Sequence, residues 1–185
     1  RYSWMEVRNR APALDEAGLV KSPREIAPIR RATRLAGLSI LEAMRSTEPG
    51  ILEHELDGVS RFVYYRHGAQ GEAYYSLVAS GPNAWYPHYP SGRRRMKGGE
   101  MVLMDHAPDV GYYMSDITRM GPVNGRFSSE QRELYGFYLA TYKAILKAIR
   151  PGATKQAVME EAAAEMDRIT AATRFPGIDS RRGGW

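Results

Sequence analysis

Apolar positions recur at three- and four-residue spacing through Ile26, Ile29, Thr33, Ala36, Ile40 and Met44, directly after Ser22-Pro23-Arg24-Glu25. Serine before proline, with glutamate three positions on, is a capping box. It satisfies the free N–H groups of a helix start and places proline where its missing N–H costs nothing. The spacing predicts an amphipathic helix of about 24 residues, ended by Pro49-Gly50. A second helical pattern runs from Leu52 to Tyr65 and closes at His67-Gly68-Ala69. The pattern then changes to short apolar runs, Ser76 to Ser80 and Met101 to Met104, with a further strand expected over Tyr112 to Arg119. Another capping box, Ser128-Ser129-Glu130-Gln131, opens a helix whose expected apolar face is Leu134, Phe137, Tyr138, Tyr142, Ile145, Leu146 and Ile149. Pro151-Gly152 stops it, and Thr154 caps a fourth helix through Val158, Ala162, Met166 and Ile169.

A repeat is visible in this order. A capped long helix, the dipeptide Pro-Gly and a second helix occur twice, with the dipeptides at 49–50 and 151–152. The first copy leads into strands. A duplicated helix-pair-plus-sheet unit would carry a second set of strands past Trp185, so the chain reads as one and a half copies of an α+β unit.

Composition narrows the function classes. The chain has 185 residues, 43% hydrophobic and 25% charged, which describes a folded domain large enough to build its own core. The absence of cysteine excludes thiolate zinc sites, thiol nucleophiles and a disulfide framework, and fits a cytoplasmic location. No apolar run reaches membrane-spanning length, and the N-terminal residues lack the apolar core of a signal peptide, so no membrane partner is expected. The net charge of +5 is concentrated in Arg93-Arg94-Arg95 with Lys97 and in Arg181-Arg182. Neither cluster has the aromatic interleaving of a nucleic-acid surface, so no nucleic-acid partner is expected. The first cluster, flanked by Pro90-Ser91-Gly92 and Gly98-Gly99, reads as a solvated loop.

The candidate chemistry lies between Met101 and Arg119. If Val110-Gly111 supplies the two turn residues of a hairpin, Asp105 lies directly opposite Asp116 on the same face. Carboxylates so placed repel one another unless a cation lies between them. Two aspartates on a rigid sheet, with no thiol near, suit hard or borderline divalent cations, but two carboxylates do not fill a coordination sphere. The plainer alternative is that Asp109 or Asp116 serves a turn or pairs with Arg119. Thr118 shares the face of Asp116, whereas His106 points to the opposite face and is expected to pack. His54 and His67 have no ligand partners at suitable spacing.

These residues also carry a family resemblance. Asp105 to Arg119, with Ser115-Asp116-Ile117-Thr118-Arg119, is similar to the pita-bread-fold metallopeptidases of the aminopeptidase P, Xaa-Pro dipeptidase (prolidase) and creatinase-like group. Also similar are Pro122-Val123-Asn124-Gly125-Arg126-Phe127-Ser128, Gln131-Arg132-Glu133, Val78-Ala79-Ser80-Gly81-Pro82-Asn83-Ala84, His88-Tyr89 and Lys21-Ser22-Pro23-Arg24-Glu25-Ile26. The likeness runs in order from about residue 20 to 170.

The resemblance implies an α+β pita-bread fold: its first half plus the helices of the second, with an antiparallel sheet covered by helices. It implies residues 1–20 as a linker from a missing N-terminal domain, 21–172 as a partial catalytic domain and 173–185 as a tail or truncation point. It assigns Asp105 and Asp116 to metal binding and His88 to catalysis, contacting substrate and stabilising the tetrahedral intermediate. The implied cofactors are two divalent ions, manganese first, with cobalt or zinc as alternatives. The other three ligands, one His and two Glu, belong to the second half, so the resemblance implies an incomplete metal set here. The implied reaction is hydrolysis of the bond before proline by a metal-bridged hydroxide, on peptides with proline in second position. His106-Ala107-Pro108 and Met120 depart from the family's usual residues, and this bears on substrate preference more than on metal binding. Two other readings share the fold: a non-catalytic peptide- or protein-binding module, and a creatinase-like hydrolase that does not use the metals. Exposed sheet edges would favour a homo-oligomer.

Overall fold

The structure, a computed structural model, describes Trp4 and residues 8–173. The Arg181-Arg182 cluster, most of the expected tail and the first residues of the expected linker lie outside the described residues. The chain divides into two compact units, Arg1–Arg126 and Phe127–Trp185.

The first unit begins with α1 (Ala11–Leu19), every residue of which is exposed. The capping box then forms as the sequence requires: Ser22 Oγ accepts from the Glu25 N–H, and the Glu25 carboxylate accepts from the Ser22 N–H at 2.7 Å. It opens α2 (Pro23–Ser46), which contains Pro28. Glu25 also accepts from the Tyr113 hydroxyl at 3.1 Å, which ties the helix start to the sheet. Ser22→Ala is expected to lower stability by about 1 kcal/mol, or about 2–4 °C in the thermal midpoint, because an N–H at the helix start loses its acceptor. An unchanged midpoint in a calorimetric scan would show the box to be inert.

The buried stripe of α2 differs from the expected one. It consists of Ala32, Leu35, Ala36, Ser39, Ile40 and Ala43, while Ile26, Thr33 and Met44 are exposed. Four of the six buried side chains are small, so the helix backbone approaches the sheets closely. A reading weighted toward the largest apolar residues rotates the face away from them. Helix α3 (Glu53–Arg66) follows Gly50, whose φ of 102° lets the chain reverse.

Two three-stranded antiparallel sheets follow, ordered β1-β4-β5 and β2-β3-β6. Their strands are β1 (Gly71–Glu72), β2 (Leu77–Ser80), β3 (Met101–His106), β4 (Pro108–Val110), β5 (Tyr113–Met114) and β6 (Ile117–Pro122). One long interrupted hairpin therefore contributes to both sheets. Its turn is Gly111-Tyr112, with φ of 65° and 66°, the positive values of a tight type I′ connection. The Asp109 carboxylate accepts from the Tyr112 N–H at 2.7 Å and holds that turn. This corrects the expected Val110-Gly111 turn and the single strand expected over Tyr112 to Arg119, which breaks at Ser115-Asp116.

The even residues of β3, Val102, Met104 and His106, are fully buried, and the odd ones are half-buried. The even face joins Ile40, Ala43, Leu56, Val78, Met96 and Val123 in one apolar cluster. Ala32, Leu35, Val63, Tyr64, Ala69 and Val110 form a second. Each fully buried Leu or Met side chain contributes roughly 2 kcal/mol through apolar area removed from water.

The second unit is a helix pair, α4 (Ser129–Ala148) and α5 (Lys155–Ala172), each opened by its expected cap. Gly152 has φ of 81°, so the Pro-Gly reversal recurs in three dimensions. In α5 the expected face holds, with Ala162 buried and Val158, Met166 and Ile169 half-buried. In α4 the expected face holds only at Phe137 and Tyr142, which are half-buried: Leu134, Tyr138, Ile145, Leu146 and Ile149 are exposed, and Ala144 and Ala148 are buried instead. No helix among the described residues is long and apolar enough to cross a membrane.

Candidate metal and substrate site

The odd face of β3 is where the chemistry collects. Its partners are fixed by register: Leu77 lies opposite Asp105, Ala79 opposite Leu103, and Thr118 opposite Asp105 on the other side. Asp105 therefore faces Thr118 across the hairpin and not Asp116, as the earlier turn placement required. Because the turn sits one residue later, the pairing shifts by two positions. A shift of two preserves the face, so Asp105 and Asp116 still project to the same side.

What joins the two aspartates is a tyrosine that sequence reasoning did not single out. The Tyr74 hydroxyl donates toward Asp105 Oδ1 at 2.6 Å and Asp116 Oδ1 at 2.9 Å. Tyr74 is delivered there by β1: the Ala73 N–H bonds the Ala107 carbonyl at 2.8 Å, which extends the β1–β4 ladder to the residue before it. The phenol pKa is pushed far up, first by burial and then by the two carboxylates. One proton is shared between two acidic acceptors, so the two like charges are only partly compensated. The only signal for Tyr74 in the sequence is an aromatic pair, Tyr74-Tyr75, just ahead of β2.

His88 reaches the same place by another route. It sits on the loop after a short 3₁₀ turn, Gly81–Trp85, and holds φ of 53°, a left-handed conformation that only it and Tyr112 adopt among the described non-glycine residues. For a residue with a Cβ this costs of order 1 kcal/mol, and such strain concentrates at functional sites. Tyr86, Pro87, His88 and Tyr89 wall one side of a cavity of about 240 Å³ whose floor includes Leu77, Ala79, Leu103, Asp105 and Thr118. The structure thus brings His88 and Asp105 together and links Asp116 through Tyr74. Two larger grooves, about 570 and 760 Å³, flank α2 and include none of Asp105, Asp116 and His88 in their linings.

The other histidines are accounted for. His106 is fully buried, with Nδ1 3.1 Å from the Tyr64 hydroxyl and Nε2 3.5 Å from Ser60 Oγ. His54 Nδ1 lies 3.0 Å from the Gly92 carbonyl and His67 Nδ1 2.9 Å from that of Val63. The basic cluster is the expected solvated loop at Arg93, Arg95 and Lys97, which are exposed, but not at Arg94, which is half-buried. The Arg94 guanidinium grips Glu100 with two bonds of 2.6 Å, and Arg95 bonds the Gly50 carbonyl.

The donor set is oxygen only, a half-buried Asp105 and an exposed Asp116 that both accept from the Tyr74 hydroxyl, and this chemistry fits a divalent cation. Among the described residues no group of three or more His, Asp or Glu converges, and Asp105 and Asp116 are the acidic pair that shares a hydrogen-bonding group beside the cavity.

Comparison with known proteins identifies the family and the fold. Metallopeptidase family M24 matches residues 27–179. The chain is 38% identical over 141 residues to the Xaa-Pro aminopeptidase of Escherichia coli, covering 76% of this chain and 32% of that protein. It is 36% identical over 150 residues to the Xaa-Pro aminopeptidase of Haemophilus influenzae. It superposes on E. coli aminopeptidase P in complex with substrate with a TM-score of 0.83 and 35% identity, covering 89% of this chain and 37% of that one. Proline aminopeptidase P II of Yersinia pestis gives 0.82 and 36%. The chain spans about a third of the length of these relatives. Its helices and antiparallel sheets are thus part of the α+β pita-bread fold, and by sequence and architecture alike the chain belongs to metallopeptidase family M24.

Proposed function

We propose that this chain contributes the first-half residues of a metal-dependent peptidase that cleaves the bond before proline. The observation that carries the reading is the pairing of Asp105 and Asp116 through Tyr74 beside a cavity that also receives His88. Asp105 and Asp116 would hold divalent cations, manganese in our reading. Bound cations supply Lewis acidity and an activated water. The remaining steps belong to the chain's own groups. His88, solvent-exposed at the cavity wall, donates a hydrogen bond to the oxygen on which charge develops as the peptide carbonyl is attacked. Leu77, Ala79 and Leu103 give the peptide a dry floor, which strengthens that bond. Tyr74 holds the two carboxylates at a common point before a cation arrives. The peptide relatives' names support proline in second position, and the lack of cysteine supports a cytoplasmic setting.

The test assays the 185-residue chain and any longer polypeptide that carries it, side by side, on an Ala-Pro peptide and its Ala-Ala counterpart. Proline-selective cleavage in the longer form, lost with EDTA and restored by Mn²⁺, is the expected result. Cleavage indifferent to EDTA would favour the creatinase-like reading. Peptide binding with no cleavage in either form would favour the binding module.

A further inference from the structure

We propose that Glu53 is the positioning residue for His88: its buried carboxylate clamps both ends of the loop that carries the imidazole. This rests on reading His88 as the group that meets substrate.

Glu53 is fully buried at the first position of α3, far from Asp105 and Asp116 in the chain. Its Oε1 accepts from the Ser80 N–H at 2.7 Å, the Ser80 hydroxyl at 2.8 Å and Asn83 Nδ2 at 3.1 Å. Its Oε2 accepts from Asn83 Nδ2 at 3.3 Å and the Arg94 N–H at 3.2 Å. One carboxylate therefore holds the end of β2, the 3₁₀ turn and the exit of the loop, with His88 between the last two. The backbone of α3 returns the grip: the Glu53 N–H donates to the Arg94 carbonyl at 3.1 Å and the His54 N–H to that of Gly92 at 2.8 Å. Arg94 in turn bonds Ser80 Oγ at 2.9 Å and Glu100.

The loop ends also fit tightly. A Cβ on Gly81 would meet the Glu100 carboxylate at 2.8 Å, and one on Gly92 would meet His54 Cβ at 3.1 Å; both glycines have positive φ. A buried carboxylate is costly to desolvate, and an apolar side chain of equal volume often serves stability as well. The network therefore has a different use here: its donors come from three separate segments, so satisfying it fixes one path for the intervening loop. That path holds His88 at its strained φ, facing the cavity of Asp105 and Thr118.

The experiment is NMR on the whole 185-residue chain, comparing wild type with Glu53→Gln. The substitution keeps the volume but presents an NH₂ group to donors. Backbone ¹⁵N order parameters for the non-proline residues between 84 and 92 are expected to fall from rigid values of ~0.85 toward ~0.6, while those of α2 and β3 hold. Added Mn²⁺, used as a paramagnetic probe, is expected to broaden the His88 ring signals less in the variant than in wild type. A lowered thermal midpoint with unchanged order parameters in the loop would overturn the proposal, since that is what a purely structural glutamate predicts. If Glu53→Gln does not fold, Asn83→Ala removes the amide lying between the two oxygens and faces the same two outcomes. Absence of Mn²⁺ broadening in wild type would sink the metal-site reading above, while the order parameters would still decide the clamp.

Discussion

Asp105→Ala is expected to abolish Mn²⁺ binding at this site, weakening it by about 100-fold or more, and Asp116→Ala is expected to do the same. Each removes one of the two carboxylates that Tyr74 brings together. The effect on stability separates this from a structural role. The Tyr74 hydroxyl has one proton for two carboxylates, so the metal-free pair retains uncompensated repulsion. Asp116→Asn is therefore expected to leave the metal-free thermal midpoint unchanged or to raise it. Paramagnetic broadening by Mn²⁺ of signals from Tyr74 and Thr118 checks the first expectation, and calorimetric scans check the second. Broadening that survives both alanine variants would remove the metal site. A fall of 2 kcal/mol or so in metal-free Asp116→Asn would instead make the pair part of the fold's support.

The second large effect concerns pH and His106, on the opposite face of the same strand. Burial pushes its imidazole down to about 4, from an ordinary value near 6.5. The unfolded chain takes up a proton below about pH 6.5, and the folded chain does not until about 4. Across that window the unfolded state binds more protons, so stability is fully present above pH 6.5 and is lost as pH falls. The loss is about 2 kcal/mol by pH 5 and roughly 3 kcal/mol by pH 4. A cation beside Asp105 would push the imidazole in the same direction. Urea unfolding at pH 7, 6 and 5 measures the slope, and His106→Gln, which cannot take up the proton, should flatten it by that amount. Identical slopes in the two proteins would show that His106 is not held neutral by burial.

Some of this could be read from residue types alone. The caps of α2, α4 and α5 rest on side chains bonding backbone three positions away, and all formed as expected. The shared face of Asp105 and Asp116 also survived, because strand side chains alternate with period two and the error in pairing was an even number. The turn itself was misplaced because Tyr112 occupies a left-handed position that its residue type does not announce, stabilised by the Asp109 carboxylate. Tyr74 and Glu53 were invisible for a different reason. Their partners lie roughly 30 to 40 positions away, and no local spacing encodes such a contact. Arg94 looked like part of a solvated run until Glu100 and Ser80 supplied its partners. The stripe of α2 was misread because its small residues, and not its large ones, set the distance to the sheets.

The start of α3 carries a consequence for how the chain is made. The Glu55 carboxylate caps the Leu52 N–H ahead of it at 2.7 Å, but the N–H groups of Glu53 and His54 donate to the carbonyls of Arg94 and Gly92, and His54 and Gly92 are 38 positions apart. A ribosome adding about 5–20 residues per second needs roughly 2 to 8 seconds to supply that distance. Until then the Glu53 and His54 N–H groups and the Glu53 carboxylate have only water as partner. The nascent chain thus completes this helix only when the loop bearing His88 has emerged, so the loop closes onto a start that has been held open for it.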